Sequence, residues 1–134
     1  MVPKRILPAI VFAQFASASL WFTGNAIISD LRTEMDVGIE DVGIATSAVQ
    51  LGFIIGTLLF ASLSISDRYS PRKLFLVCSI LGAISNALIY FIAHNLFSLL
   101  ALRFITGFFL TGIYPIGMKI TSGWYKKDLG NAIG

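Results

Sequence analysis

Long runs without a charged side chain alternate along this chain with short stretches that collect nearly all the charge. Ile6 to Ile28, Val42 to Ser66 and Leu74 to Ala93 contain no Asp, Glu, Lys or Arg. A hydrocarbon layer about 30 Å thick is crossed by about 20 helical residues rising about 1.5 Å each. Four segments reach that length: 6–28, 42–63, 74–93 and 96–122. The runs are continuous rather than alternating, and an open sheet would leave backbone groups unpaired against lipid, so helices are predicted. The fold class is an all-α, polytopic membrane helical bundle of four spans. The fourth is the least uniform, carrying Arg103, Pro115 and Lys119 among Phe, Ile and Leu. Lys4 and Arg5 ahead of a run through Ala16-Ser17-Ala18 also read as a cleavable secretory signal. The apolar stretch continues through Leu20, Trp21, Phe22 and Ile27, which favours a retained helix.

Composition agrees: 56% of residues are apolar and 13% charged, against roughly 25% charged in an ordinary soluble chain. The net charge of +3 comes from ten scattered basic residues rather than a patch, so no nucleic-acid partner is expected. Cys78 is the single cysteine and lies inside an apolar run, which excludes an intrachain disulfide and a cysteine metal site. No cluster of His, Cys, Asp and Glu suggests an enzyme, a metal or a cofactor, and no G-x-x-x-x-G-K-S/T suggests ATP coupling. The basic residues instead set orientation. With the N-terminus in the cytoplasm, Lys4, Arg5, Arg68, Arg72, Lys73, Lys119, Lys126 and Lys127 lie inside and only Arg32, in Ser29–Asp41, lies outside. His94 and Asn95 make a tight hairpin of spans three and four.

In lipid, polar and small residues reveal which helix faces meet protein or water. At 100° per residue, Gln14, Ala18, Trp21 and Asn25 share one stripe, as do Thr46, Gln50 and Thr57, then Ser79, Asn86 and Tyr90, and finally Arg103, Gly107, Tyr114 and Thr121. Such side chains either join helices by hydrogen bonds or wet a cavity. Four stripes together favour the cavity, with Gln14, Trp21, Asn25 and Arg103 as its lining and Gln50 and Tyr114 next. Gly52 and Gly56 are spaced for close helix packing, and Gly107, Gly112 and Gly117 punctuate the fourth span beside Pro115. Proline frees the carbonyl of Thr111 and bends the rod, as a packing feature or a hinge. Arg103 lies roughly 10 Å inside span four. Since no acidic residue lies in any span, its partner is expected among backbone carbonyls, water, an anionic solute or a carboxylate elsewhere.

The segment Ser64-Ile65-Ser66-Asp67-Arg68-Tyr69-Ser70-Pro71-Arg72-Lys73 resembles the loop signature of the major facilitator superfamily, G-x-L-a-D-R-x-G-R-R/K. Asp67, Arg68 and Arg72 take its charged positions, whereas Leu63, Ile65, Ser70 and Pro71 depart from it. Arg103-Phe104-Ile105-Thr106-Gly107 is similar to the fourth-helix pattern R-x-x-x-G, and Gly123 to Gly134 resembles the basic loop leading into a fifth helix near 130–134. The resemblance implies part of a secondary transporter with two six-helix halves built from inverted three-helix repeats around a midplane site. It further implies a gating role for Asp67, Arg68 and Arg72; the alternative is that Arg68, Arg72 and Lys73 fix topology alone. Expected partners are a small-molecule substrate, a coupling proton or sodium, the lipid of a cell (inner) membrane, and the remaining helices. Four spans are about one third of such a transporter and are not expected to transport alone. The competing reading is a self-contained four-span protein: a small exporter that dimerises, or a non-transporting assembly subunit. Small exporters of that kind carry a membrane-embedded glutamate in the first span, and 6–28 has none.

Overall fold

A computed structural model describes residues 5–35 and 38–125; within the helices, the side chains of 24, 25, 27–35 and 39 lie outside the described set. The elements are α1 (Ile6–Met35), α2 (Ile39–Ser62), α3 (Ile65–Arg68), α4 (Pro71–Ile92), α5 (Leu96–Leu110) and α6 (Tyr114–Trp124), with no strand among the described residues. Four stretches are long and apolar enough to cross a membrane: Ile6–Thr23, Glu40–Ser62, Pro71–Ile92 and Leu96–Trp124, the last formed by α5 and α6 together. The chain is an all-α, multi-pass membrane protein. The expected fifth span near 130–134, like Lys4, Lys126 and Lys127, lies outside the described residues.

The helix ends follow local chemistry rather than hydropathy. Ser29–Asp41, expected outside the membrane as a connection, is mostly helical, because α1 runs on to Met35 and α2 starts at Ile39. An apolar count measures membrane thickness, whereas a nucleated helix continues into water through good formers such as Leu31, Arg32, Glu34 and Met35. Ahead of α2, the Gly38 N–H donates to the Asp41 carboxylate at 2.8 Å. At its other end Ser64 takes the left-handed conformation (φ 50°), the one positive φ outside glycine among the described residues. That is the position where a helix end usually recruits glycine. Pro71 opens α4 in its first turn, where the absent N–H would have had no helical partner. Asn95 caps α5 by accepting from the Ser98 N–H at 2.8 Å.

The fourth span is broken. Thr111, Gly112 and Ile113 donate their N–H groups to carbonyls three residues back, at 3.3, 3.0 and 3.0 Å. This is the tighter turn expected where Pro115 cannot continue the ladder. The Thr111 hydroxyl donates to the Phe53 carbonyl of α2 at 3.0 Å, tying the break to the neighbouring helix.

Above the break, α5 packs on α2 nearly backbone to backbone. A Cβ added at Gly52 would overlap the Phe104 carbonyl, one at Gly107 would overlap the Val49 carbonyl, and one at Gly56 would lie 2.9 Å from the Phe108 carbonyl. Ala45 and Val49, fully buried, continue the same α2 face. Gly112 gives way instead to Cys78 of α4. The α4–α5 hairpin adds an apolar cluster of Ala45, Ile89, Ala93 and Leu99.

Candidate functional site

The α1–α6 contact shapes the main candidate site. Gln14 of α1 lies flat against Gly117 of α6, where a Cβ would overlap its Oε1. That oxygen is buried, with no hydrogen-bond partner among the described residues. On one side of this contact lies a cavity of about 300 Å³ bordered by Gln14, Phe15, Ala18, Tyr114 and Met118. It shares Ala18 and Tyr114 with a cavity of about 340 Å³ lined by Trp21, Phe22, Phe53, Leu110 and Ile113. Together they form one groove along α1, floored by the broken fourth span. The Trp21 indole meets Phe53 edge-on, with centroids 5.7 Å apart, and so fixes the α2 wall. The lining is mainly apolar and aromatic, with Gln14 and Tyr114 contributing polar atoms. It can enclose an amphipathic or apolar solute and offers few hydrogen bonds to orient it.

Arg103 does not line this groove. It is fully buried, and its Nη2 donates to the Trp21 carbonyl at 3.2 Å. A carbonyl has two lone pairs, so one can serve the α1 ladder while the other accepts from arginine. Of the candidate partners for this charge, a backbone carbonyl is therefore present. The guanidinium is drawn into the seam between α1 and α5 because its long stem reaches the neighbouring backbone. Gln50 is exposed and borders neither cavity. The α2 face that packs is Ala45, Val49, Gly52 and Gly56, and Gln50 stands about 100° round the helix from Val49. Asn25 lies on α1 with its side chain outside the described residues. Of the six cavity candidates, the structure thus gathers Gln14, Trp21 and Tyr114.

Several helix hydroxyls, those of Thr46, Thr57 and Thr121 in the polar stripes among them, turn back on their own helix. Thr46, Thr57, Ser85, Thr106 and Thr121 each donate to the carbonyl four residues earlier, at 2.8–3.0 Å. Ser17 and Ser79 do bond across α1 and α4, at 3.1 Å. Hydroxyl spacing in a sequence cannot separate these outcomes, since both satisfy the group.

A second set of contacts lies at the end of α6. Lys119 Nζ pairs with the Asp67 carboxylate at 2.6 Å and donates to the Ser66 carbonyl at 2.7 Å, joining α6 to α3. The Arg72 guanidinium lies over the Trp124 ring, 5.5 Å from its centroid, joining α4 to α6. Arg68 is exposed. The three loop charges thus separate: Asp67 and Arg72 hold α6, by different chemistry, and Arg68 faces outward. Lys119 and Trp124 were not among the expected site residues. Their one signal was a lysine near the end of the fourth span, which membrane topology explains equally well.

The sequence profile of the Major Facilitator Superfamily matches residues 10–134. Over 96 residues the chain is 31% identical to an uncharacterised protein of Archaeoglobus fulgidus; the alignment covers 71% of this chain and 43% of that relative. The match thus spans less than half the relative's length. No solved structure matches.

Proposed function

The chain belongs to the major facilitator superfamily, and on that footing we propose that its four spans form part of one half of a secondary transporter working by alternating access. Membrane transport of a small solute is the family's activity. In this reading α1 and α6 form one wall of the solute pathway, with Gln14, Trp21 and Tyr114 facing it and Asn25 on the same stripe. The other walls, and any acid that carries a coupling proton or binds sodium, come from the remaining helices, because segments 6–28, 42–63, 74–93 and 96–122 hold no carboxylate. Positive-inside charge puts the N-terminus and the Lys119–Asp67 pair at the cytoplasmic face of the cell membrane. There Asp67, through Lys119, and Arg72, through Trp124, gate, and Arg68 faces outward.

One observation carries this reading. Beyond the break at 111–113, α6 bears both the groove residues Tyr114 and Gly117 and the latch residue Lys119. A swing of this arm would therefore change the groove and the latch together. The latch is exposed, with side-chain accessibilities of 42% for Lys119 and 73% for Asp67. A pair that wet contributes little to folding, yet it biases a two-state equilibrium by whatever it contributes to one state alone.

Cysteine accessibility in the full-length protein tests the reading without knowledge of the solute. With native cysteines replaced, Gln14→Cys and Tyr114→Cys should react with a membrane-impermeant thiosulfonate, while Leu81→Cys on the outer face of α4 should not. Adding Asp67→Asn should change the labelling rate at 114 severalfold. Unreactive cysteines at both 14 and 114, with and without the latch, would remove the pathway from this groove. A similar rate at 114 in both latch states would remove the gate.

A further inference from the structure

On the opposite flank of the α1–α6 contact lies a second cavity pair, which shares Ile10, Gln14 and Gly117 with the solute groove. A crevice of about 440 Å³ at the end of α6 is lined by Ser70, Arg72, Lys119, Gly123 and Trp124. Through Arg72, Ile120 and Trp124 it continues into a groove of about 340 Å³ running up between α1, α4 and α6, walled mainly by Ile6, Ile10, Ala13 and Phe75, with Gln14 and Gly117 at its border. One end is therefore cationic and aromatic and the other apolar, and the two are joined at the level where a charged membrane edge meets hydrocarbon. An amphiphile with an anionic head and an acyl chain has that shape.

The donors at the charged end are open to such a head. Lys119 has three N–H groups; one reaches Asp67 and one the Ser66 carbonyl, which leaves a third. Among the described residues no hydrogen bond claims the Arg72 guanidinium, which is held only over Trp124. The Ser70 hydroxyl makes no cap bond to α4. Arg68 and Lys73, both exposed, flank the crevice in sequence. Asp67 is the one carboxylate among these groups, and it faces Lys119. The balance is cationic, so an approaching helix end or peptide of like charge is disfavoured and a phosphate is favoured.

We propose that this site binds an anionic phospholipid, its phosphate between Arg72 and Lys119 and one acyl chain in the groove beside Ile10 and Phe75. The lipid would brace α6 against α4 next to the latch. A basic pocket between transmembrane helices at the positive side of a membrane is a recognised headgroup geometry. The reading does not need transport, although the Gln14–Gly117 contact separates the two grooves and borders both.

Native mass spectrometry of the delipidated full-length protein tests it, with dioleoyl phosphatidylglycerol and dioleoyl phosphatidylcholine titrated separately. Phosphatidylglycerol should be retained severalfold more strongly. Arg72→Gln should weaken its retention about fivefold, on the scale of one basic residue's attraction to an anionic membrane, and leave phosphatidylcholine unchanged. Ala13→Trp, which fills the apolar arm, should weaken dioleoyl phosphatidylglycerol while leaving the short-chain dihexanoyl form unaffected. Arg72 is exposed, so its variant should melt with the parent; Lys119→Gln provides a second cation test should it not. Equal retention of both lipids would overturn the proposal, as would parent-level phosphatidylglycerol binding in both cation variants. Full displacement by inorganic phosphate, with Ala13→Trp silent, would do the same by showing a site for the headgroup alone.

Discussion

The two arms of the fourth span meet their neighbours in opposite ways. Above the break, α5 is fitted to α2 through Gly52, Gly56 and Gly107, with backbone against backbone. Below it, α6 meets α1 with the Gln14 amide against Gly117, is flanked by cavities, and is fastened by an ion pair at Lys119 and a stacked guanidinium at Trp124. Lipid tails are as apolar as leucine, so helices associate by close packing and hydrogen bonds rather than by escape from water. The α2–α5 seam has the close packing and should behave as a rigid unit. The α6 arm has little of it, and its exposed fastenings are each worth less than about 1 kcal/mol. Rigidity and mobility are thus divided within a single span, at the turn that Pro115 imposes.

That contrast can be broken most forcefully at the seam. Gly107→Val or Gly52→Leu should destabilise the full-length protein by about 3 kcal/mol, because the added atoms meet carbonyls rather than flexible side-chain ends. Thermal unfolding in detergent reads this, and a parent-like melting midpoint for both variants would dissolve the distinction between the arms. Thr111→Val should cost less, about 0.6 kcal/mol for the lost bond to Phe53. If α6 pivots at the break, the same variant should also raise labelling at position 114. Asp67→Asn should move the melting midpoint least of the three, by under about 0.5 kcal/mol, while still altering labelling at 114; a large stability loss instead would make the pair structural. Gly43→Ala sets the baseline, since open space surrounds Gly43. Replacing a helical glycine there should stabilise by about 0.5 kcal/mol.

Much of the architecture was legible from hydropathy because each span satisfies its own backbone before it meets another. The uncharged runs located four membrane crossings, Asn95 marked the hairpin turn, and Pro115 placed the bend within the fourth span. The glycines at 52 and 56 pointed to close packing, although nothing in their spacing named Phe104 and Phe108 as what they pack against. Gln14, Trp21 and Tyr114 were legible as a set because they are large or polar residues on stripes of helices that happen to adjoin. Gln50 satisfied the same rule on a helix whose packed face lies elsewhere. Arg103 was legible as needing a partner, but the partner, a carbonyl on α1, has no side-chain signature to read.

By itself, then, the sequence determined the solvent each segment can occupy, the number of crossings and the place of the bend, since these depend on residue chemistry within a few turns. Only the tertiary structure decided which faces meet. It set Lys119 on Asp67, Arg103 on the Trp21 carbonyl, Gln14 on Gly117, and a charged crevice at the mouth of an apolar groove. The reason is that a helix face made of Leu, Ile and Phe is equally content against lipid or protein. The choice between them falls to the fit of small residues against a particular neighbour, which only the assembled helices provide.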